Sequence, residues 1–495
     1  ERQKLDATAI IKKVQQNPSS AEQKYNFLDC FHDKRRRHPL FPLHQAILLR
    51  APMNVIGALS CSAALVEKCD DETVLHALSC PGTALEETSK GGTCEYYGTA
   101  LHLAIKNRPY DASWDAVMFL LEKHPGASME KDKEAKTPLH LLLEEGAPLD
   151  IVSFLLKSCP GAIKEKDRID DTPLHTACKS SFLRSHFGHA QSLGIISLLL
   201  KSWPDATKEK NYFQQTPLTV ACRNAATLDV LSLLLKSWPD AIREKDYNEH
   251  TPLFAACEVA APLDIISFLL ESWSDAIKEK NRFHETPLTV ACEGGASLDV
   301  IYLLLKRWPG AIKEKNSLNE TPLHTSCQGE ASLDVISLLL RSWPDAVNKK
   351  DESEQTPLHV ACSEGRSLEI IILLLDVWIE LSENRNTLEV ESLKIDAAEN
   401  VSNLLSHVST LFNHDSNNAV STKESMDFFI SIKWQKGILL VINKDPSIVK
   451  NMHLHTNVMA DFLFMAGKFC SLVTMWEVIK NEQELLKGVE VMCVA

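Results

Sequence analysis

Residues 286–320 read T-P-L-T-V-A-C-E-G-G-A-S-L-D-V-I-Y-L-L-L-K-R-W-P-G-A-I-K-E-K-N-S-L-N-E, and closely similar copies of this stretch run down the middle of the chain. Copies open at Thr137, Thr172, Thr216, Thr251, Thr286, Thr321 and Thr356, with steps of 35, 44, 35, 35, 35 and 35 residues. Self-similarity at this period marks a solenoid, in which each unit buries its apolar face only against its neighbours.

The local chemistry of one copy predicts two helices. Thr followed by Pro suits a helix start, with the hydroxyl at the N-cap and proline at the first helical position, where no amide donor is needed. Thr321, Pro322, Leu323 and Cys327 therefore begin a short first helix. Ser297 and Asp299 open the second, the serine as cap and the carboxylate facing the positive end of the helix dipole. Leu298, Ile301, Leu304 and Leu305 fall on one face, which Val300 and Leu303 broaden. Trp308-Pro309 stops the helix, because a residue before proline is pushed out of helical geometry.

The string Thr-Pro-Leu-His at 137–140, 172–175, 321–324 and 356–359, in phase with the L-L-L run, resembles the signature of an ankyrin repeat. The resemblance covers residues 137–385, with weaker copies at Phe41-Pro-Leu-His44, Thr73-Val-Leu-His76 and Thr99-Ala-Leu-His102. It implies an all-α-dominated solenoid of stacked helix pairs with short β-hairpin fingers. It also implies that partners are contacted by the fingers and the concave first-helix face. Two features depart from the family. The usual unit has about 33 residues, and its finger carries glycine two residues before the Thr. Here that place holds Asp170, Gln214, Glu249, His284, Asn319 and Glu354. Glycine is favoured where φ is positive, so a different fingertip turn is expected.

A repeat array lets a 495-residue chain fold around one elongating core. Hydrophobic content of 44% with 24% charged residues is that of a folded protein. A net charge of −14 argues against nucleic acid or an anionic membrane as partner. No apolar run is long enough for a membrane span; Phe462 to Trp476 comes nearest and is interrupted by Lys468. Of fourteen cysteines, Cys178, Cys222, Cys257, Cys292, Cys327 and Cys362 occupy one slot in successive copies. Stacked helices sit roughly 8–10 Å apart, too far for a disulfide or a shared zinc ion. Buried, reduced thiols in the cytoplasm are the expectation.

Residues 1–40 read as a polar helical N-terminal cap ending in Lys34-Arg-Arg-Arg37, a weak nuclear-import signal. Residues 41–136 hold degenerate repeats, 137–385 the regular array, 386–424 a polar helical linker, and 425–495 a degenerate repeat that caps the end. Nine extra residues near 180–188 enlarge one interhelical turn; His186 and His189 there lack a third ligand for a metal.

A search for catalytic motifs finds no phosphate loop, no G-x-G-x-x-G, no H-E-x-x-H and no nucleophile elbow. His140, His175, His324 and His359 give way to Thr219, Phe254 and Thr289 in sister copies, so they read as structural. Trp203, Trp238, Trp273, Trp308, Trp343 and Trp378 are in register and read as a buried ladder closing the second helices. The K-E-K triplets read as a solvated mixed-charge band. No cofactor and no metal is expected. The finger residues, by contrast, vary from copy to copy and include anchor-type side chains. Ile169, Tyr212, Phe213, Tyr247, Arg282, Phe283, His284 and Leu318 are the candidate contacts with other proteins. The expected function is a non-catalytic scaffold or adaptor. The alternative is the recognition arm of a larger enzyme or membrane protein whose functional part precedes residue 1, and a catalytic site within 386–495 is the remote third reading.

Overall fold

The computed structural model describes residues 99–106, 114–179, 189–381, 387–395, 397–412 and 422–445, with shorter pieces at 25–28, 37–40 and 55–57 and the single positions 12, 16, 59, 384 and 448. The insertion at 180–188 and everything beyond 448 lie outside them, as do His186 and the side chain of His189.

Before the array, β1 (Tyr25–Leu28) pairs antiparallel with β2 (Arg37–Leu40), Tyr25 opposite Leu40. A wholly helical reading of 1–40 therefore fails here: Tyr25 and Phe27 favour extended backbone, and Pro39 is tolerated on a strand that has one free edge.

The chain divides into two compact units, Glu1–Ala276 and Ile277–Ala495. In the first, short helices α1 (Ala100–Lys106), α3 (Pro138–Glu144), α5 (Pro173–Lys179), α7 (Pro217–Arg223) and α9 (Pro252–Glu258) alternate with longer ones. The longer set is α2 (Asp115–Lys123), α4 (Leu149–Ser158), α6 (His189–Ser202), α8 (Leu228–Ser237) and α10 (Leu263–Ser272). The second unit repeats the pattern with α11 (Pro287–Glu293), α12 (Leu298–Arg307), α13 (Pro322–Gln328), α14 (Leu333–Ser342), α15 (Pro357–Ser363) and α16 (Leu368–Trp378). It continues through α17 (Thr387–Ser392), α18 (Glu399–Phe412), α19 (Thr422–Ser431) and α20 (Gln435–Lys444). The architecture is an all-α repeat solenoid.

The first helices are buried almost throughout, since within each unit they pack against those of adjacent copies; Leu218, Val220, Ala221 and Cys222 of α7 are all within the core. Small Ala and Cys at these places admit the neighbouring helix closely. Thr216 and Thr286 cap their helices by accepting the amides of Thr219 and Thr289 at 3.3 and 3.2 Å. On α12 the buried set is Val300, Ile301, Leu304 and Leu305. Leu298, expected on that face, is 40% exposed because it sits at the helix edge as the first residue. Ser297 stands at the cap with extended backbone but makes no capping bond; its counterpart Ser332 accepts from the Val335 amide at 3.4 Å. Trp308 leaves the helix at φ −141 and ψ 86, and Pro309–Lys313 forms a 3-10 turn.

Within the stretch read as a polar helical linker, α17 and α18 bury Val390, Val401, Leu404, Leu405 and Val408. His359 Nε2 lies 3.0 Å from Ser392 Oγ and ties this segment to the preceding copy.

Candidate protein-interaction surface

Each finger is built by one Asp or Asn at the end of the K-E-K-[DN] run. Its Oδ1 accepts two amides, two and four residues ahead, at 2.8 to 3.1 Å. The seven residues that do this are Asp132, Asp167, Asn211, Asp246, Asn281, Asn316 and Asp351. The backbone then turns through a left-handed residue. Asp170, Gln214, Glu249, His284, Asn319 and Glu354 all have φ between 59 and 61, and Ala135 has φ 57. The expectation that missing glycine means a different turn is thus wrong. The turn keeps its positive φ, and the side-chain acceptor holds non-glycine residues in it.

The β-hairpins expected of the fingers are not confirmed; what is present is the turn, closed by bonds such as Asp167 N–H to Asp171 O at 3.0 Å and Asp170 N–H to Asp167 O at 3.1 Å. Among the described residues no strand occurs in them; within each unit a single backbone bond links one finger to the next. Tyr212 N–H donates to Ile169 O at 2.9 Å and Tyr247 N–H to Phe213 O at 3.0 Å in the first unit; Ser317 N–H donates to Phe283 O at 2.8 Å and Glu352 N–H to Leu318 O at 3.0 Å in the second.

The histidines do more than hold their own junction. In His140, His175, His324 and His102, Nδ1 accepts from the capping Thr and Nε2 reaches the backbone carbonyl just before the next copy's Thr at 3.0 to 3.2 Å. Burial, the dominant influence, lowers the affinity of all four for a proton, that of His175 to about 4. Where Thr stands instead, the two hydroxyls pair, Thr216 with Thr219 and Thr286 with Thr289 at 3.1 and 3.0 Å. The Phe254 copy leaves Thr251 Oγ1 buried without a partner among the described residues, and His250 stacks on the Phe254 ring.

The tryptophan ladder is only half-buried; Trp203, Trp238, Trp273, Trp308 and Trp343 keep part of their surface in solvent, and Trp378 alone of the six is enclosed. Bases ending the preceding turn cover some of the rings: Lys164 lies 5.9 Å from the Trp203 centroid and Arg243 5.7 Å from that of Trp273. The K-E-K band is ordered by ion pairs from copy to copy, Lys131 to Glu165, Lys166 to Glu209, Lys210 to Glu244 and Lys280 to Glu314, at 2.7 to 2.8 Å. The six in-phase cysteines are buried and unbridged, and burial pushes the thiols of Cys222, Cys292, Cys327 and Cys362 up to about 12. At neutral pH those four are not thiolates, which removes them as nucleophiles.

The sequence profile of ankyrin repeats matches three times, over residues 187–281, 260–351 and 288–385. Residues 187–385 are ankyrin repeats. Ankyrin repeats generally mediate contacts between proteins and are typically non-catalytic. No curated protein matches the chain. Among the described residues no group of three or more His, Cys, Asp or Glu is placed to hold a metal, and no helix is long and apolar enough to cross a membrane.

The candidate contact residues all stand on the fingers. In the first unit Tyr212 is 69% exposed, Tyr247 64% and Phe213 47%, with Ile169 half-buried beside them. Tyr212 and Phe213 meet edge to face at 5.5 Å. In the second unit Leu318 is 53% and Phe283 48% exposed, and Arg282 and His284 are exposed too. What the sequence reading missed is the pair of devices that fix these side chains: the Asx acceptor, visible as an invariant Asp or Asn, and the finger-to-finger backbone bond, which no sequence signal marks.

Proposed function

We propose that the chain is a non-catalytic scaffold or adaptor that docks other proteins on the fingertips and on the first-helix face beside them. One observation carries this reading: large apolar side chains are held in solvent on rigid turns. Tyr212, Phe213 and Tyr247 contribute nothing to the core at these exposures, and the seven side-chain acceptors and the inter-finger bonds fix the backbone that presents them. Ordering is thus complete before a partner arrives, which reduces the entropy lost on binding. Aromatic residues so displayed are the type that dominates interface energetics. The buried cysteines, which burial keeps protonated, are consistent with a cytoplasmic setting.

Proximity labelling in the native cells tests the reading, comparing the parent with a variant carrying Ala at Tyr212, Phe213, Tyr247 and Phe283. A set of labelled proteins lost from the variant, at equal expression and unchanged thermal stability, supports docking through the fingers. The same set recovered by both would move the binding surface elsewhere.

A further inference from the structure

The first unit holds a cavity of about 530 Å³ between the copies that open at Thr137 and Thr172. Two fingers and two first helices wall it, and most charges on the walls are already matched. Lys136 Nζ sits 2.9 Å from Glu134 and 2.7 Å from Glu144. Lys179 pairs with Asp171, which also takes the Asn211 amide at 2.9 Å. Asp167 spends Oδ1 on the two amides of its own finger.

Among the described residues Asp167 meets no base, and two further groups lack a partner. The Arg168 backbone N–H binds Glu134 O at 2.8 Å, but its guanidinium has no partner among the described residues. Thr176 lines the cavity, is only 4% exposed, and its hydroxyl has no partner among them either. Its counterpart Thr325 turns its hydroxyl to the carbonyls of Thr289 and Pro322 at 3.3 and 3.2 Å. Other copies place Val220, Ala255, Val290 and Val360 there, so a hydroxyl is not required by the packing. The Thr176 hydroxyl therefore opens onto the cavity, where a ligand can reach it.

We propose that this cavity anchors one acidic side chain, Asp or Glu, of a partner protein, its carboxylate paired with Arg168 and accepting the Thr176 hydroxyl. The planar guanidinium fork matches a carboxylate in two-point geometry. The proposal rests on the protein-docking reading above and extends it. Ile169, on the cavity wall, accepts the Tyr212 amide, so a segment anchored here continues onto the aromatic finger.

Peptide display against the full chain tests it, followed by anisotropy titrations of the enriched peptides. The variants are Arg168→Glu, Thr176→Val and the pair Tyr212→Ala with Phe213→Ala. Sister copies carry Glu352 and Val220 at the first two places, so both substitutions fit the fold. The expected result is a shared Asp or Glu in the peptides, whose change to Asn or Gln weakens binding about tenfold or more, as does Arg168→Glu. Thr176→Val should weaken it roughly fivefold, and a peptide with Lys in place of the acid should regain binding to Arg168→Glu. Enriched peptides that lack an acid, or bind Arg168→Glu like the parent, overturn the anchor. If such peptides are lost on the aromatic pair, docking through the fingers survives; if they bind that variant equally, it falls as well. Failure to enrich any peptide also counts against the anchor.

Discussion

At the scale of single residues, the histidines make the array sensitive to acid. In the folded chain burial lowers their pKa, to about 4 for His175, against about 6.5 unfolded. The unfolded chain therefore takes up protons first. Their contribution is complete above about pH 6.5, declines as pH falls below that value, and is gone near the folded pKa. The denaturation midpoint should drop between pH 7.5 and pH 5. His175→Thr, the residue that Thr219 and Thr289 supply in sister copies, should flatten that drop; an equal pH slope in parent and variant would refute the linkage. The finger acceptors allow a second prediction. Asn316→Ala removes two amide bonds at 3.0 and 2.9 Å and should cost about 1–3 kcal/mol in urea unfolding. Asn316→Asp keeps both finger bonds, as Asp167 and Asp246 do, but loses the Nδ2–H donated to Glu320 at 2.6 Å and sets two carboxylates together, so it should destabilise as well.

At the scale of the helix pair, the tryptophans separate by burial. Trp378→Ala in α16 should cost roughly 3–5 kcal/mol, as for an enclosed aromatic. Trp343→Ala should cost about half as much, since part of that ring stays in solvent in both states; equal losses would show that the ladder is sealed after all. Gly329 supplies a sharper test. A Cβ there would fall on the Glu293 carbonyl carbon and oxygen, so Gly329→Ala should destabilise by about 1–3 kcal/mol in thermal unfolding. The sequence made the parts of this element legible that depend on near neighbours: Thr-Pro starts, Trp-Pro stops, and the leucine face of the second helix. It did not disclose how far Trp343 or Leu298 would be covered, because that depends on what the next copy brings against them. Glycine's absence from the fingertips misled for a related reason. The residue that stabilises the positive φ lies three places earlier and acts through its side chain.

At the scale of the whole molecule, a near-constant framework presents variable tips. Period, caps and core slots were readable from sequence, and so was the exposure of Tyr212, Phe213, Tyr247 and Phe283 on the fingers. The cavity beside Arg168 was not, since it forms from side chains of two copies brought together by stacking. Most of the ion pairs along the K-E-K band are half-exposed and contribute little each, about 0–1 kcal/mol. Salt should consequently change stability weakly while affecting any partner held by Arg168 more strongly. The most direct test of docking through the fingers is calorimetric titration of one identified client against the parent and the four-alanine variant, with thermal unfolding measured beside it. The account predicts affinity weakened about tenfold or more with the unfolding midpoint of the variant unchanged. Equal affinity in a folded variant would contradict it.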